Sequence, residues 1–265
     1  MTTDWLELSN KVVIVTGGSS GIGKAVVDTL LKENVQVVNA DLRPSAEPSD
    51  ALFVQTDVTS GADIKKLVKQ TLDTYGKIDG LVNNAGINMP RLLADEKTES
   101  EYELDEATFD KMVAVNQKAV FLLSQAVAKQ MIQQKSGVIV NMSSESGLEG
   151  SQGQSCYAAT KAAVNSFTRS WSKELGLYGI RVVGVAPGIM EETGLRTLSY
   201  ETALAYTRNI SVEDLRAGYA KTSTIPLNRS GRLEEVADVV AYFLSERSSY
   251  VTGVTVNVAG GKTRG

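Results

Sequence analysis

Short runs of β-branched and aliphatic residues alternate along this chain with stretches whose apolar residues recur at helical spacing. The runs 11–16, 35–40, 51–55, 78–83, 137–142, 180–186 and 254–258 predict strands. The intervening patterns predict helices over 21–33, 62–75, 105–134, 156–177 and 233–245. Near-continuous apolar strands joined through helices describe a parallel sheet covered on both faces. The expected class is therefore α/β, a doubly wound Rossmann-type fold with a seven-stranded, mainly parallel sheet. No repeat, linker or low-complexity tract divides the chain, so residues 1–265 read as one domain. Two segments break the rhythm: an acidic one over 91–106, and a long polar one over 189–228. Both follow strand C-termini, where open α/β sheets bind ligands, so both are candidates to shape a pocket, the second as a substrate loop.

Composition narrows the chemistry. The net charge of -4 gives no basic stripe for a phosphate backbone, so nucleic acid is an unpromising partner. The chain has one cysteine, Cys156, and no histidine. That excludes a disulfide framework, disfavours a metal site and rules out Ser-His or Cys-His nucleophiles. It also suits a reducing, cytoplasmic setting. No stretch approaches the length of apolar residues that would span a membrane.

The turn Thr16-Gly17-Gly18-Ser19-Ser20-Gly21-Ile22-Gly23 joins the first strand to the first helix. Its glycines permit a tight turn and a close backbone approach, and the helix start offers free N–H groups to a pyrophosphate. Asp41 follows the second strand, 24 residues beyond Gly17. A carboxylate there accepts ribose hydroxyls and repels a 2′-phosphate, which favours NAD over NADP; Arg43, two residues on, argues the other way. Tyr157 and Lys161 are four apart on a predicted helix and share a face. An ammonium beside a phenol favours the phenolate, which predicts a lowered Tyr157 pKa and a usable acid/base. Ser144 lies 13 residues before Tyr157 and can hold a substrate oxygen, whereas the adjacent Ser143 should point to the opposite face.

The T-G-x-x-x-G-x-G spacing resembles the short-chain dehydrogenase/reductase family, and further motifs support it in order: Asp57-Val58, Asn83-Asn84-Ala85-Gly86, Asn116, Ser144, Tyr157-x-x-x-Lys161 and Pro187-Gly188. The resemblance runs from Lys11 to Gly261. It implies alcohol–ketone interconversion by hydride transfer, with Ser144, Tyr157, Lys161 and Asn116 as the catalytic set. Asn116 would order a water that links Lys161 to solvent. Gly17, Ser19, Ser20, Gly21, Ile22, Gly23, Asp41, Asp57, Val58, Asn84, Ala85, Gly86, Tyr157, Lys161, Pro187, Gly188 and Ile189 would bind the cofactor. The family's hydroxyl residue after the P-G turn is displaced here, because Glu191 and Glu192 precede Thr193. A homotetramer is expected on the same ground, with 233–243 and 250–258 as its apolar interfaces.

Substrate choice lies in the loops. Glu149, Gln152 and Gln154 suit a hydroxyl-rich molecule, and Arg196, Arg208 and Lys221 offer charge for a phosphate or carboxylate, Arg196 first. Residues 186–197 and 257–265 resemble those of dehydrogenases of sugar-alcohol phosphates, which implies a hexitol phosphate with Ser144, Glu149, Tyr157 and Arg196 as substrate contacts. An unphosphorylated polyol, a ketoacyl substrate reduced with NADPH, and a dinucleotide-sensing regulator are the alternatives.

Overall fold

A computed structural model describes residues 5–97, 99–191, 193, 196–221 and 224–262, the side chains of residues 220 and 221 excepted. All seven strands join one sheet: β1 (Val12–Thr16), β2 (Gln36–Asp41), β3 (Leu52–Gln55), β4 (Gly80–Asn83), β5 (Gly137–Met142), β6 (Ile180–Pro187) and β7 (Thr255–Val258). Their order is β3-β2-β1-β4-β5-β6-β7, and every pairing is parallel. The order reverses between β1 and β4, which opens a crevice at their C-terminal ends.

Strand alternation divides the core between two layers. Val13 and Val15 of β1 pack on one side with Val26 and Leu30 of α1 (Gly21–Lys32) and with Val236 and Val240 of the late helix Leu233–Leu244. Ile14 points the other way, into the cluster of Leu67 from α2 (Gly61–Tyr75) and of Leu123 and Val127 from the helix Ala119–Gln134. Each such fully buried aliphatic side chain contributes about 1.5–3 kcal/mol. Helix ends follow local chemistry. The Ser60 side chain accepts from the Asp63 N–H to start α2, and Gly76 ends it at φ 74°. The Asp105 carboxylate accepts from Thr108 to start α3 (Glu106–Val113).

Two expectations change. The single helix over 105–134 is α3, a π-helical turn over Ala114–Lys118, and α4 (Ala119–Gln134). The polar run 189–228 is not merely a loop. After the short α5 (Ser146–Glu149) and long α6 (Ser155–Leu175), it contributes α7 (Leu198–Thr207) and α8 (Val212–Lys221), ahead of α9 (Leu233–Leu244). Leu204, Ala205 and Leu215 form a small core of their own between α7 and α8. Three buried side chains give too faint an apolar period to predict two helices.

Gly23 meets its constraint in α1: a Cβ there would lie 2.0 Å from the Gly17 carbonyl oxygen and 2.5 Å from Asn84 Nδ2. Gly23→Ala is expected to cost roughly 1–3 kcal/mol of stability. Gly218→Ala, with nothing within 4 Å of its Cβ, should be neutral or stabilising by about 0.5–1 kcal/mol. Denaturant unfolding of both variants checks the pair, and equal midpoints would count against the packing argument.

Candidate active site

The C-terminal ends of the strands border a cavity of about 1120 Å³. Its first wall is the β1–α1 turn. Gly17, at φ 65°, turns the chain back under the β4 end, where a Cβ would lie 3.0 Å from Ala85 Cα. The N–H groups of Asn84 and Ala85 both donate to Thr16 Oγ1, at 3.0 and 3.1 Å. Asn84 Nδ2 donates to the carbonyls of Thr16 and Gly17. Ser20 caps α1 without a side-chain bond, and the first turn holds no acid. The N–H groups there remain open to an anion.

Gly17, Ser20, Gly21 and Ile22 line the cavity, as do Asp41, Asp57, Val58, Asn84, Ala85, Gly86, Pro187, Gly188 and Ile189. Ser19 and Gly23 do not. The Ser19 hydroxyl donates to the Arg43 carbonyl at 2.6 Å, while Gly23 is a packing glycine. Asp41 Oδ2 accepts from the Ser19 N–H at 3.0 Å and Oδ1 from the Leu42 N–H at 2.7 Å. Each oxygen keeps a lone pair for a further donor. Arg43 is exposed and off the cavity wall. Thr193 lines the cavity, so the displaced hydroxyl still reaches it. Glu191 lines the cavity too, and its Oε1 accepts from the Leu233 N–H of α9 at 3.0 Å.

α6 places Tyr157 and Lys161 on the cavity wall one turn apart. The Ser144 hydroxyl shares that wall and acts on the Tyr157 phenol in favour of the phenolate. Ser143 also borders the cavity, but its hydroxyl is spent on the Lys161 carbonyl, to which it donates at 3.3 Å. Lys161 is buried, its Nζ donating to the Met142 carbonyl at 2.8 Å and lying 5.7 Å from the Tyr157 ring centre. Burial pushes its pKa down to about 8. The expected depression of the phenol is not what the protein does by itself. Burial raises the Tyr157 pKa, the Ser144 hydroxyl opposes that, and the Glu145 carboxylate adds to it. Desolvation acts on both groups against their charged forms and outweighs their attraction.

Asn116 sits in the π-turn with its side chain committed. Its Oδ1 accepts from the Ile87 N–H and its Nδ2 donates to the Ile87 carbonyl, both at 2.8 Å. It thereby pins the chain just after Gly86. Its Nδ2 also reaches Thr160 Oγ1 at 3.3 Å, while its Oδ1 keeps a lone pair for a further donor. π-Turns commonly mark functional positions, and no residue pattern announced this one.

Substrate-side residues come from α5, the 150–154 loop and α7. Glu149, Gln154, Arg196 and Arg208 all line the cavity. Arg196 is engaged: its guanidinium lies 3.5 Å from Glu201, which also binds Arg216, and stacks 4.1 Å over Tyr219. Gln152 turns outward to the Thr207 carbonyl. Glu192 and the Lys221 side chain lie outside the described residues. The sequence reading missed Tyr200, whose hydroxyl accepts from Gln154 Nε2 at 2.9 Å, and Lys262, paired with Glu145 at 2.6 Å. Thr197 followed by Glu201 was an available helix-start signal for α7. Nothing local marks Lys262. Among the described residues, no cluster of three or more His, Cys, Asp or Glu could hold a metal, and no helix is long and apolar enough to cross a membrane.

A glycine turn at the sheet's switch point, facing a Ser–Tyr–Lys group, defines a dinucleotide-dependent oxidoreductase site. The short chain dehydrogenase family model matches residues 11–203, and the chain belongs to that family, whose members use a nicotinamide dinucleotide. It is 61% identical over 265 residues to the sorbitol-6-phosphate 2-dehydrogenase of Klebsiella pneumoniae, covering 98% of this chain and 99% of that one. It is 38% identical to a 3-oxoacyl-acyl-carrier-protein reductase of Thermotoga maritima, over 97% and 99% of the two chains. Ligand-free Thermoplasma acidophilum aldohexose dehydrogenase superposes with a TM-score of 0.84 at 28% identity, over 97% of this chain and 95% of that one. Levodione reductase does so at 0.83 and 31%, over 97% and 98%.

A buried lysine whose pKa falls below its unfolded value makes folding proton-linked. Between about pH 8 and 10.5 the unfolded chain binds the proton that folded Lys161 has lost, so stability rises with pH across that window. Lys161→Met is therefore expected to melt higher than wild type near neutral pH, with the gap narrowing through the window. A gap independent of pH would contradict the assignment.

Proposed function

We propose that this chain is an NAD-dependent dehydrogenase of a hexitol phosphate, interconverting D-sorbitol 6-phosphate and D-fructose 6-phosphate. The observation that carries the reading is the 61% identity, across nearly all of both chains, to a sorbitol-6-phosphate 2-dehydrogenase. An intact Ser144–Tyr157–Lys161 group supports turnover over a role as a dinucleotide sensor.

The residues fit the cofactor. Open N–H groups at α1 and the close approach of Gly17 to Ala85 form a cradle for a pyrophosphate. Asp41, Asp57 and Val58 would hold the adenosine end, and Asn84 to Gly86 with Pro187 to Ile189 the other. Nicotinamide, when bound in its oxidised form, would supply both the hydride acceptor and a local positive charge. Ser144 Oγ holds the substrate oxygen. Tyr157 Oη takes the hydroxyl proton as the C–H bond at the reacting carbon breaks, and returns it in the reverse direction. Lys161 stabilises the phenolate. In the protein alone burial holds the phenol up, so a further positive charge at the site helps to bring Tyr157 into its working range. Asp41 on the wall and Arg43 off it favour NAD over NADP. The chain acts as one domain, in the cytoplasm. It assembles as a homotetramer through α9 and the edge strand β7, where Tyr250, Val254 and Val256 are exposed.

Tyr157→Phe is expected to lower kcat by roughly 100-fold or more while NADH still binds, since the ring is retained and only the proton-bearing oxygen is lost. Stopped-flow turnover beside fluorescence titration with NADH reads both, and near-wild-type kcat would refute the role. Asp41→Ala should raise KM for NAD and narrow the preference over NADP. Equal kinetic constants before and after would make Asp41 a turn residue only. Absorbance assays with sorbitol, sorbitol 6-phosphate and a 3-oxoacyl thioester test the substrate class, and faster turnover of the thioester would overturn it.

A further inference from the structure

A side chamber of about 290 Å³ adjoins the main cavity, sharing Ile87, Asn88, Lys111 and Tyr200 with it. Arg91, Thr197 and Ser199 complete its polar lining, and among the described residues no carboxylate lines it. Arg91 is fixed there by backbone. Its N–H donates to the Gly153 carbonyl at 2.8 Å, and it pairs in a β-bridge with Gln154. Gln154 caps α6 three residues before Tyr157, about one helical turn.

Among the side chains lining the chamber, two buried polar atoms lack a hydrogen-bond partner, the donor Nε of Arg91 and the acceptor Oδ1 of Asn88. Such atoms are costly to leave unmade, and their polarities differ. A guanidinium calls for an anion, which its planar fork suits; an amide oxygen at the junction of the two cavities calls for a hydroxyl. Lys111 adds a second cation and forms no ion pair with a described residue. Other cations on the cavity wall have engagements of their own. Arg196 is on Glu201 and Tyr219, although its Nε also lacks a partner, Lys262 is on Glu145, and Lys161 on the Met142 carbonyl. Among the described residues Arg91 meets only neutral groups, the Pro90 carbonyl at 2.8 Å and the Tyr102 ring at 5.9 Å, and so keeps its charge for an anion. Arg208 reaches Ser151 at 3.4 Å, on a wall that also carries Glu149 and Asp214.

We infer that the side chamber is the phosphate subsite, with Arg91 and Lys111 holding the phosphate dianion and Asn88 accepting from a hydroxyl of the sugar chain. The inference rests on the hexitol-phosphate reading above. From the reacting C2 to the phosphorus of an extended hexitol 6-phosphate is roughly 7 Å by ordinary bond lengths. Arg91 lies one strand spacing, about 4.8 Å, from Gln154, and Gln154 one turn, about 5.4 Å, from Tyr157, a backbone separation of at most about 10 Å that the long Arg91 side chain can shorten. Arg91, Asn88 and Lys111 then determine specificity, and Ser144 and Tyr157 carry out the reaction.

The test is the ratio of kcat/KM for sorbitol 6-phosphate to that for sorbitol, in wild type and in Arg91→Gln, Arg91→Lys, Lys111→Met, Arg196→Gln and Arg208→Gln. NADH affinity and melting temperature establish that each variant is folded. Arg91→Gln should lower the ratio about 10- to 100-fold, chiefly through KM for the phosphate ester. Arg91→Lys should recover part of the loss, and Lys111→Met should lower the ratio less. An unchanged ratio in Arg91→Gln, with wild type still preferring the ester, overturns the subsite and leaves the function standing. A larger fall in Arg196→Gln or Arg208→Gln does the same. A wild type without preference for the ester removes the hexitol-phosphate reading, and the subsite with it.

Discussion

The close meeting of β1 and β4 at their C-terminal ends is the contact on which the rest of the site depends. Thr16 Oγ1 accepts two backbone N–H groups from the β4 end, and Asn84 returns two bonds to the β1 turn. A parallel sheet leaves backbone groups unpaired where its strand order reverses, and these bonds satisfy several of them. The contact needs small residues. Gly17 and Gly23 have no room for a Cβ against Ala85, Asn84 and each other. Once it is made, the start of α1, the segment 84–87 and the ends of β5 and β6 all face one space.

Within that space, desolvation is the controlling electrostatic effect. Lys161 is buried with one neutral acceptor, the Met142 carbonyl, and burial lowers its pKa to about 8. Tyr157 is held towards its neutral form by the same burial. A buried cation and a buried phenol so close together form a device that responds strongly to any further charge. Glu145 is balanced by Lys262, a residue 117 positions later. That pair keeps the carboxylate beside the phenol from acting at full strength.

The two segments that broke the sequence rhythm turn out to meet. Tyr102 stacks on Tyr206 of α7 with ring centres 4.1 Å apart, and the Tyr206 hydroxyl donates to Asp95 at 2.7 Å. Lys97 lies 4.8 Å over the same ring. The acidic run is therefore no free solvated loop. It braces α7, which carries Tyr200 to the reaction cavity. Its acids explain why it looked like surface, and its aromatic residues are what dock it.

Features that depend on short-range pattern were legible in the order of residues. Strand runs and helical periods fixed all seven strands, and the phosphate-binding turn followed from glycines at set spacing before a helix. Tyr157 and Lys161 could be paired because four residues make one turn, and Ser144 separated from Ser143 because strand side chains alternate. Features that depend on contacts between distant segments emerged only with the folded chain. Ser19 and Gly23 belong to the turn's packing and not to the cavity wall. The Tyr157 pKa is set by burial that no local pattern records. The partners of Arg196, the clamp of Asn116 on Ile87 and the meeting of Arg91 with Gln154 join residues far apart in sequence. Charge and hydrogen-bond capacity can be read from residue type, but which partner uses that capacity is decided only when distant segments are folded together.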